Sequence, residues 1–281
     1  MASRRLPQIF LTVSLPTVGT ILCCLPLFAA LFCVVWSIVF DLKTSTATQC
    51  RVANYLPSMS AAIGDSTPQR YVWRICVCLH ATPRLVLTLV YRELHGVLQV
   101  ETNKGSYRLL VSSAAFSNGV EVSSLIALSY ISSTENYEVH EALFVIFMVS
   151  GLLHMVLTIT LFSWRHRCIT PSGKETKSLC WKRRLFAVNV STFLVSVYLF
   201  FRHNWYCEPG VYTLFAACEY LVVLTNISFH GTLIWDLDDF SMAVVNTTLI
   251  SDNTRQRETG YINNSTRGEK SHFSDTNKKC Q

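Results

Sequence analysis

Six apolar stretches, each long enough to cross a lipid bilayer, constrain what this chain can fold into. A membrane-spanning helix needs roughly 20 predominantly apolar residues. We therefore predict an all-α integral membrane protein built as a bundle of about six transmembrane helices. The predicted spans are residues 18–40, 71–91, 109–131, 141–163, 185–202 and 212–235.

The composition favours a multi-spanning protein over a soluble domain. Hydrophobic residues make up 50% of the chain and charged residues 15%, and the mean hydropathy is +0.32. Arg4 and Arg5 precede the uncharged run 6–40, so a cleaved signal peptide is an alternative for the first span. That run is longer than the roughly 7–15 apolar residues of a signal peptide, which favours an uncleaved anchor.

The Lys and Arg residues indicate the orientation of the spans, because cytosolic loops carry an excess of them. With a cytosolic N-terminus, 18 of the 24 lie on the cytosolic side, 4 lie on the other side, and Arg74 and Arg84 lie inside the second span. We therefore predict that both termini are cytosolic, with an N-terminal segment 1–17, a six-span domain 18–236 and a disordered tail 237–281. Attraction to an anionic leaflet explains the net charge of +6, so we predict no nucleic-acid partner.

Three charged side chains, Arg84, Glu121 and Glu219, lie within the predicted spans. A charge at the bilayer centre costs about 2.5–3.5 kcal/mol on insertion scales, so we expect these residues to be paired or functional. The second and third spans should be antiparallel neighbours, which puts Arg84 and Glu121 at similar depth. A direct ion pair is the simplest expectation. There are two alternatives: Arg84 could bind a lipid phosphate, or Glu121 could act as a general base.

Further polar residues share helical faces with these charges. His80 projects to the face of Arg84, and Asn226 and His230 project to the face of Glu219. The residues predicted to line a buried polar cavity are His80, Arg84, Glu121, His154, Glu219, Asn226 and His230. Packed, hydrogen-bonded residues are the alternative at each position. A proton-coupled transporter is a further alternative, although no inverted repeat is visible.

A second polar group lies near the predicted luminal surface. It comprises His140 and Glu141 at the start of the fourth span, Arg202 and His203 at the end of the fifth, and Arg70 before the second. A rim with both cations and acids suits a phosphorylated lipid headgroup, and ordinary interface polarity is the alternative. No known catalytic motif and no metal-ligand spacing occurs in the sequence, so we predict no metal site and no bound cofactor.

Most of the 11 cysteines lie in the spans, where they act as small apolar residues. Cys50 and Cys207 lie in the first and last loops, on the predicted luminal side. An oxidising lumen favours a disulfide between them, and two free thiols are the alternative.

Several separate strings, in order along the chain, are similar to one known family. They are 46–50, 54–58, 62–64, 68–74, 154–155, 181–182, 184–186, 201–208 and 219–226, followed by His230 and 235–236. These strings resemble the family of post-GPI-attachment-to-proteins factor two, which forms a wider family with the damage-regulated autophagy modulators. The resemblance covers residues 18–236, with a divergent region at 93–108.

The resemblance implies a multi-pass protein of the Golgi membrane, or also of the endoplasmic reticulum membrane, that takes part in remodelling GPI-anchored proteins. An upstream GPI phospholipase factor removes an unsaturated sn-2 chain, and this protein is then required to reacylate lyso-GPI with a saturated, stearoyl-type chain. The protein could be the lyso-GPI O-acyltransferase itself, with acyl-CoA or a phospholipid as donor. The alternative is a non-enzymatic lipid-binding scaffold or lipid-translocating factor that presents lyso-GPI to another enzyme.

Under this hypothesis the rim residues have specific roles. The residues expected to hold the inositol phosphate of the headgroup are Arg70, Arg74 and Arg202. His140 is expected to deprotonate the sn-2 hydroxyl, because it lies near the luminal surface where the headgroup resides. His203 is the second candidate for this base, and Glu141 is the third catalytic candidate.

Overall fold

The computed structural model of the 281-residue chain describes residues 9–64, 66–97, 104–168 and 170–245. Its elements, in chain order, are β1 (Ile9–Ser14), α1 (Leu15–Phe40), α2 (Leu42–Ser45), α3 (Met59–Gly64), α4 (Gln69–Val97), α5 (Lys104–Tyr130), α6 (Tyr137–Cys168), α7 (Gly173–Tyr206), α8 (Val211–Gly231), α9 (Leu233–Asp236) and β2 (Ser241–Val245). The chain divides into a helical unit, Leu15–Phe240, and a second unit made of Met1–Ser14 with Ser241–Gln281.

The helical unit contains 6 helices that are long and apolar enough to cross a membrane, the last formed by α8 together with α9. This agrees with the predicted all-α, multi-pass architecture, and every predicted span lies within one of these helices or overlaps it. The orientation of the bundle relative to the membrane stays a prediction.

The helices extend beyond the predicted spans. The fifth predicted span began at residue 185, whereas α7 begins at Gly173. Ser172 caps this helix: its side chain accepts from the backbone N–H of Glu175, and the Glu175 carboxylate accepts from the backbone N–H of Ser172. A prediction from hydrophobicity finds only the apolar part of a helix. The helical backbone hydrogen bonds continue into the polar residues on either side of that part.

The six long helices close into a ring, because each packs against the next in the chain and α8 packs back against α1. Large apolar side chains such as Ile75, Leu89 and Phe116 remain exposed on the outside, whereas polar side chains such as Glu121 and Asn189 are buried. Soluble proteins show the opposite distribution. The outer surface therefore suits lipid, and the polar interior is where function should be sought.

One end of the bundle, the loop end, carries residues 41–58, 131–136 and 207–210. There the structure joins Cys50 to Cys207 in a disulfide with a Cα–Cα distance of 5.2 Å. The first loop is also bonded to the start of α8, since the Tyr55 N–H donates to Thr213 Oγ1 at 2.9 Å. These links attach the first loop, which we define as residues 41–64 and which includes α3, to α8, and α3 itself packs against α1, α4 and α8.

The second unit contains a two-stranded sheet. Strands β1 and β2 are antiparallel, with Ser14 opposite Ser241. The segment 237–281 was predicted to be disordered, but Ser241–Val245 form a strand, because the strand partner comes from the N-terminal segment and cannot be inferred locally. Residues 246–281, the rest of that predicted tail, lie outside the described residues.

Candidate functional site

The centre of the ring contains a buried ion pair between α4 and α5. Arg84 Nη2 lies 2.8 Å from Glu121 Oε1, and the side chains are 7% and 0% exposed. The same guanidinium nitrogen donates to Asn118 Oδ1 at 2.9 Å. The ion pair predicted from the antiparallel arrangement of the second and third spans is confirmed.

Helix α8 completes this group, which we call the central cluster: Arg84, Glu121, Asn118, Asn226 and His230. Asn226 Nδ2 donates to Glu121 Oε1 at 3.1 Å. His230 Nε2 lies 3.1 Å from Glu121 Oε1 and 2.6 Å from Arg84 Nη2. This nitrogen cannot donate to the carboxylate and accept from the guanidinium at the same time, so the protonation of His230 decides which contact is a hydrogen bond.

Two further histidines flank the central cluster. His80 Nδ1 lies 2.7 Å from the carbonyl oxygen of Leu22, and His154 Nδ1 lies 3.0 Å from that of Ala114. A carbonyl only accepts, so Nδ1 carries the proton in both rings. The ring of His154 also stacks on that of His230, with centroids 5.4 Å apart. Both histidines are therefore fixed in orientation by backbone contacts from a neighbouring helix.

Two cavities meet at the central cluster. The loop-side cavity extends from the loop end to the cluster. The inner cavity continues from the cluster toward the opposite end of the bundle. The residues that line both are Leu22, Cys23, His80, Arg84 and His230. Of the other residues predicted to line a cavity, His154 borders the inner one, Glu219 and Asn226 border the loop-side one, and Glu121 is fully buried behind them.

The upper wall of the loop-side cavity carries Ser60 of α3 and His140 of α6. Ser60 Oγ lies 3.0 Å from His140 Nε2. His140 Nδ1 lies 2.7 Å from the carbonyl oxygen of Ile131 and must therefore donate to it. In a neutral ring Nε2 is then an acceptor, so the Ser60 hydroxyl donates to it. His140 is among the residues predicted from the sequence, whereas Ser60 is not, because its short helix has no pattern that distinguishes it from loop.

Glu219 borders the same cavity, away from the central cluster. Its Oε2 accepts from the backbone N–H of Met59 at 3.1 Å, and the neighbouring Tyr220 hydroxyl donates to the carbonyl of Pro57 at 2.5 Å. These two bonds attach α8 to the segment that leads into Ser60. Glu219 therefore has a specific partner in the structure, as a buried carboxylate requires.

The three arginines expected to bind a headgroup lie at the loop end, and each contacts protein groups. Arg70 Nε donates to the Gly64 carbonyl at 2.7 Å, and Arg74 Nη2 donates to that of Tyr130 at 2.8 Å. Arg202 forms a two-pronged pair with Glu208 at 2.8 and 3.1 Å. Hydrogen bonds from this guanidinium hold the pKa of Glu208 below its usual range. None of the three arginines is among the described residues that line the two cavities.

The other two catalytic candidates are separated from His140. His203 is buried, its ring centroid 5.0 Å from that of Tyr212, and neither of its ring nitrogens has a hydrogen-bond partner among the described residues. Glu141 is exposed on the outer side of α6. Neither residue lines the two cavities, so the structure brings only His140 of the three to an enclosed space.

A second buried pair lies at the far end of the inner cavity. Lys182 Nζ lies 2.5 Å from Asp236 Oδ2, and each side chain is 3% exposed. The Tyr91 hydroxyl donates to the same oxygen at 2.6 Å. Lys182 lies outside the predicted fifth span, 185–202, but α7 begins early enough to bury it inside the bundle. These contacts join α4, α7 and α9, and the second carboxylate oxygen, Asp236 Oδ1, is buried without a hydrogen-bond partner among the described residues.

Gly151 provides a test of how tightly the central cluster is packed. A Cβ at this position would lie 3.3 Å from Glu121 Cδ and 3.6 Å from Asn226 Nδ2. Because Arg84, Asn226 and His230 hold Glu121 Oε1, we expect Gly151→Ala to lower the free energy of unfolding by about 1–3 kcal/mol. The control is Gly119→Ala, where a Cβ meets nothing within 4 Å. Thermal unfolding in detergent measures both, and equal midpoints would contradict the rigid packing of Glu121.

Comparison with known proteins places the whole helical unit in one family. The model described as the Frag1/DRAM/Sfk1/Cwh43P N-terminal domain matches residues 14–240, which include both cavities. No solved structure matches this chain.

Individual proteins similar to this chain point to the same family. A Xenopus tropicalis protein named Acyltransferase PGAP2 is 46% identical over 228 residues, which are 81% of this chain and 88% of that protein. A Drosophila melanogaster protein named Post-GPI attachment to proteins factor 2 is 45% identical over 212 residues, 75% of this chain and 81% of that protein. A Danio rerio protein named Acyltransferase PGAP2 is 38% identical over 192 residues, 67% of this chain and 80% of that protein. This chain therefore belongs to the Frag1/DRAM/Sfk1/Cwh43 family, which confirms the resemblance seen in its sequence strings.

Proposed function

We propose that this protein reacylates lyso-GPI at sn-2 with a saturated, stearoyl-type chain and is itself the acyltransferase. The observation that carries the proposal is the His140 ring, whose Nε2 contacts Ser60 at the wall of a cavity with a largely apolar lining. Two of the relatives carry the name Acyltransferase PGAP2.

The lining of the loop-side cavity suits a saturated acyl chain. Below His140 its walls are formed largely by apolar side chains, among them Leu125, Phe144, Phe147 and Met148. This lining offers a saturated chain surroundings as apolar as those it has in the bilayer. The reacting carbonyl would then lie near the loop end, where His140 is located, with the chain directed toward the central cluster.

His140 is suited to act as a general base. Its Nδ1–H bond to the Ile131 carbonyl fixes the ring and leaves Nε2 free of a proton. Such an imidazole takes the proton of an attacking hydroxyl and returns it to the leaving group. No bound cofactor is required, since the acyl donor, an acyl-CoA or a phospholipid, enters as a substrate.

The compartment and partners follow from the same proposal. The disulfide at the loop end is suited to an oxidising lumen, which supports an orientation with Ser60 and His140 on the luminal side and both termini in the cytosol. A GPI headgroup is luminal, so a Golgi location, with the endoplasmic reticulum as a second, gives His140 access to the lipid. The substrate would be a GPI-anchored protein already deacylated by the upstream phospholipase.

One observation favours a second candidate, a scaffold or lipid-translocating factor without catalysis. The two cavities share lining residues at the charged central cluster and together extend through the bundle. A lipid headgroup moving between leaflets would need such a polar passage. Movement of a fluorescent lyso-lipid across liposomes containing the protein, with no acyl transfer from either donor, would favour this candidate over the enzyme.

His140→Ala should lower acyl transfer by about 100-fold or more, because a positioned general base contributes roughly 10²–10⁴ to a rate. The measurement uses purified protein in liposomes with lyso-GPI and radiolabelled stearoyl-CoA or distearoyl phosphatidylcholine. Glu138→Ala, at an exposed position half a turn earlier on α6, is the matched control and should retain full activity. A folded His140→Ala protein with normal transfer would refute the assignment of His140.

A further inference from the structure

The Ser60 hydroxyl occupies the one ring nitrogen of His140 that can act as a base. From this we infer that Ser60 is a catalytic nucleophile, which carries the acyl chain as a serine ester between donor and acceptor. The inference rests on the proposed function, since it assumes that this protein transfers acyl chains. The acyl chain would then pass first from the donor to Ser60 and afterwards from Ser60 to the lyso-lipid, instead of directly from donor to acceptor.

The geometry matches what an activated serine requires. The distance of 3.0 Å between Ser60 Oγ and His140 Nε2 falls within the range of about 2.6–3.2 Å expected of a nucleophile and its base. The base is in turn oriented by a third group, here the carbonyl oxygen of Ile131 at 2.7 Å from Nδ1. In serine hydrolases a carboxylate fills this third role, and it too fixes the tautomer and the ring orientation.

Direct attack by the lipid hydroxyl would need a different arrangement. His140 Nδ1 is committed to the Ile131 carbonyl, so Nε2 is the sole nitrogen of this ring able to accept a proton. Ser60 already holds that position, and a lipid hydroxyl could reach Nε2 only by displacing it. The structure therefore presents the serine, rather than a vacant base, to an incoming acyl carbonyl.

Ser60 is also held in place from three sides. The backbone N–H of the preceding Met59 donates to Glu219 of α8. The Ala61 N–H donates to Ser58 Oγ at 3.2 Å, and the Ser37 hydroxyl of α1 donates to the Ala62 carbonyl at 3.4 Å. A nucleophile fixed in this way loses little entropy when it reacts. Its position on the cavity wall places the bound ester directly above the apolar lining.

The reaction balances without any oxidant or reductant. Ser60 Oγ attacks the carbonyl carbon of an acyl thioester or carboxylic ester, and its proton passes to His140 Nε2. The bond from that carbon to the sulfur or oxygen of the donor breaks, and the leaving group takes the proton from His140. The sn-2 hydroxyl of the lyso-lipid then gives its proton to His140 and attacks the serine ester, and Ser60 recovers a proton as it leaves.

Trapping the serine ester tests the inference. The full-length protein in liposomes is incubated with radiolabelled stearoyl-CoA or distearoyl phosphatidylcholine without acceptor, quenched in acid and analysed by peptide mass spectrometry. We expect one stearoyl group on the peptide that contains Ser60, lost again when lyso-GPI is added. The donor that supplies the label identifies whether thioester or phospholipid ester is used. His140→Ala should abolish the label.

Variants at Ser60 distinguish a catalytic role of its hydroxyl from a purely structural role. Ser60→Ala should carry no label and lose about 100-fold or more of the transfer activity. Ser60→Cys should carry the chain as a thioester that neutral hydroxylamine releases, a signature that a merely structural role would not produce. Ser123→Ala, exposed on α5, is the matched control and should behave like the unmodified protein.

Steady-state kinetics give an independent readout. Double displacement predicts parallel lines in double-reciprocal plots of the transfer rate when the concentrations of donor and acceptor are both varied.

Three outcomes would contradict these proposals. Transfer at the normal rate by Ser60→Ala would overturn the inference and leave the proposed function intact. Loss of transfer in Ser60→Ala with intersecting lines and no trapped ester would also overturn it, because Ser60 would then only position His140. An unmodified protein that neither transfers nor becomes labelled with either donor would overturn the proposed function as well.

Discussion

Glu121→Met is expected to lower the free energy of unfolding by about 3–5 kcal/mol, the usual effect of breaking a buried ion pair from one side. The substitution removes the carboxylate that contacts Arg84 at 2.8 Å and leaves a guanidinium that is 7% exposed. A guanidinium cannot become neutral by losing its proton, so the charge stays buried without a counterion. Asn226 also loses its acceptor, and His230 loses its contact with the carboxylate.

The double variant Arg84→Met/Glu121→Met should recover much of this loss, because neither charge is then buried alone. Thermal unfolding of the purified variants in detergent gives the double-mutant cycle. The exposed pair Arg202–Glu208, at 42% and 39% side-chain exposure, provides the control. Glu208→Gln should shift the unfolding midpoint far less than Glu121→Met, because solvent screens an exposed pair. Equal effects of Glu121→Met and Glu208→Gln would contradict a buried, low-dielectric environment for Glu121.

Removing the disulfide with Cys50→Ser/Cys207→Ser is expected to lower the free energy of unfolding by about 2–5 kcal/mol. The two residues are 157 positions apart, and a cross-link that closes a long loop restricts the unfolded chain strongly. The loss should lie within this range rather than above it, because hydrogen bonds from Tyr55 and Met59 still attach the first loop to α8.

Unfolding in the presence and absence of a reducing agent measures this effect. Reduction should lower the midpoint of the unmodified protein and leave the double-serine variant unchanged. Cys180→Ser, at an exposed position, is the control for the substitution itself. A midpoint that does not respond to reduction would show that the disulfide contributes nothing to stability. Acyl transfer should fall along with stability, since the first loop carries Ser60.

The spans and the Arg84–Glu121 pair could be predicted because both depend on local rules. Length and hydropathy define a helix that crosses a bilayer, and a short connection makes consecutive helices antiparallel. A charge in an apolar helix then requires a partner at the same depth. The same reasoning placed His80, Asn226 and His230 on inward faces, where the structure has them.

The partners of Arg70 and Arg74 could not be predicted, because they are backbone carbonyls at helix ends. The carbonyls of Gly64 and Tyr130 accept from Arg70 and Arg74, and sequence does not show which carbonyls a fold leaves vacant. Lys182 looked like its neighbours Arg183 and Arg184, and only the packing of α7 selects it for burial. Ser60 depends on contacts with α1, α6 and α8 that sequence spacing does not reveal.

The pairing of β1 with β2 has a consequence for how the chain could be rearranged. The helical unit begins and ends at one place, since the Leu15 N–H donates to the Phe240 carbonyl at 3.1 Å. The first and last helices of the ring are therefore neighbours, and the two ends of the helical unit lie side by side. A circularly permuted chain, in which residue 245 is linked to residue 9 and new ends are opened at 170–172, would keep every helix–helix contact of the ring. The position of the chain ends is thus separable from the architecture that encloses Ser60 and His140.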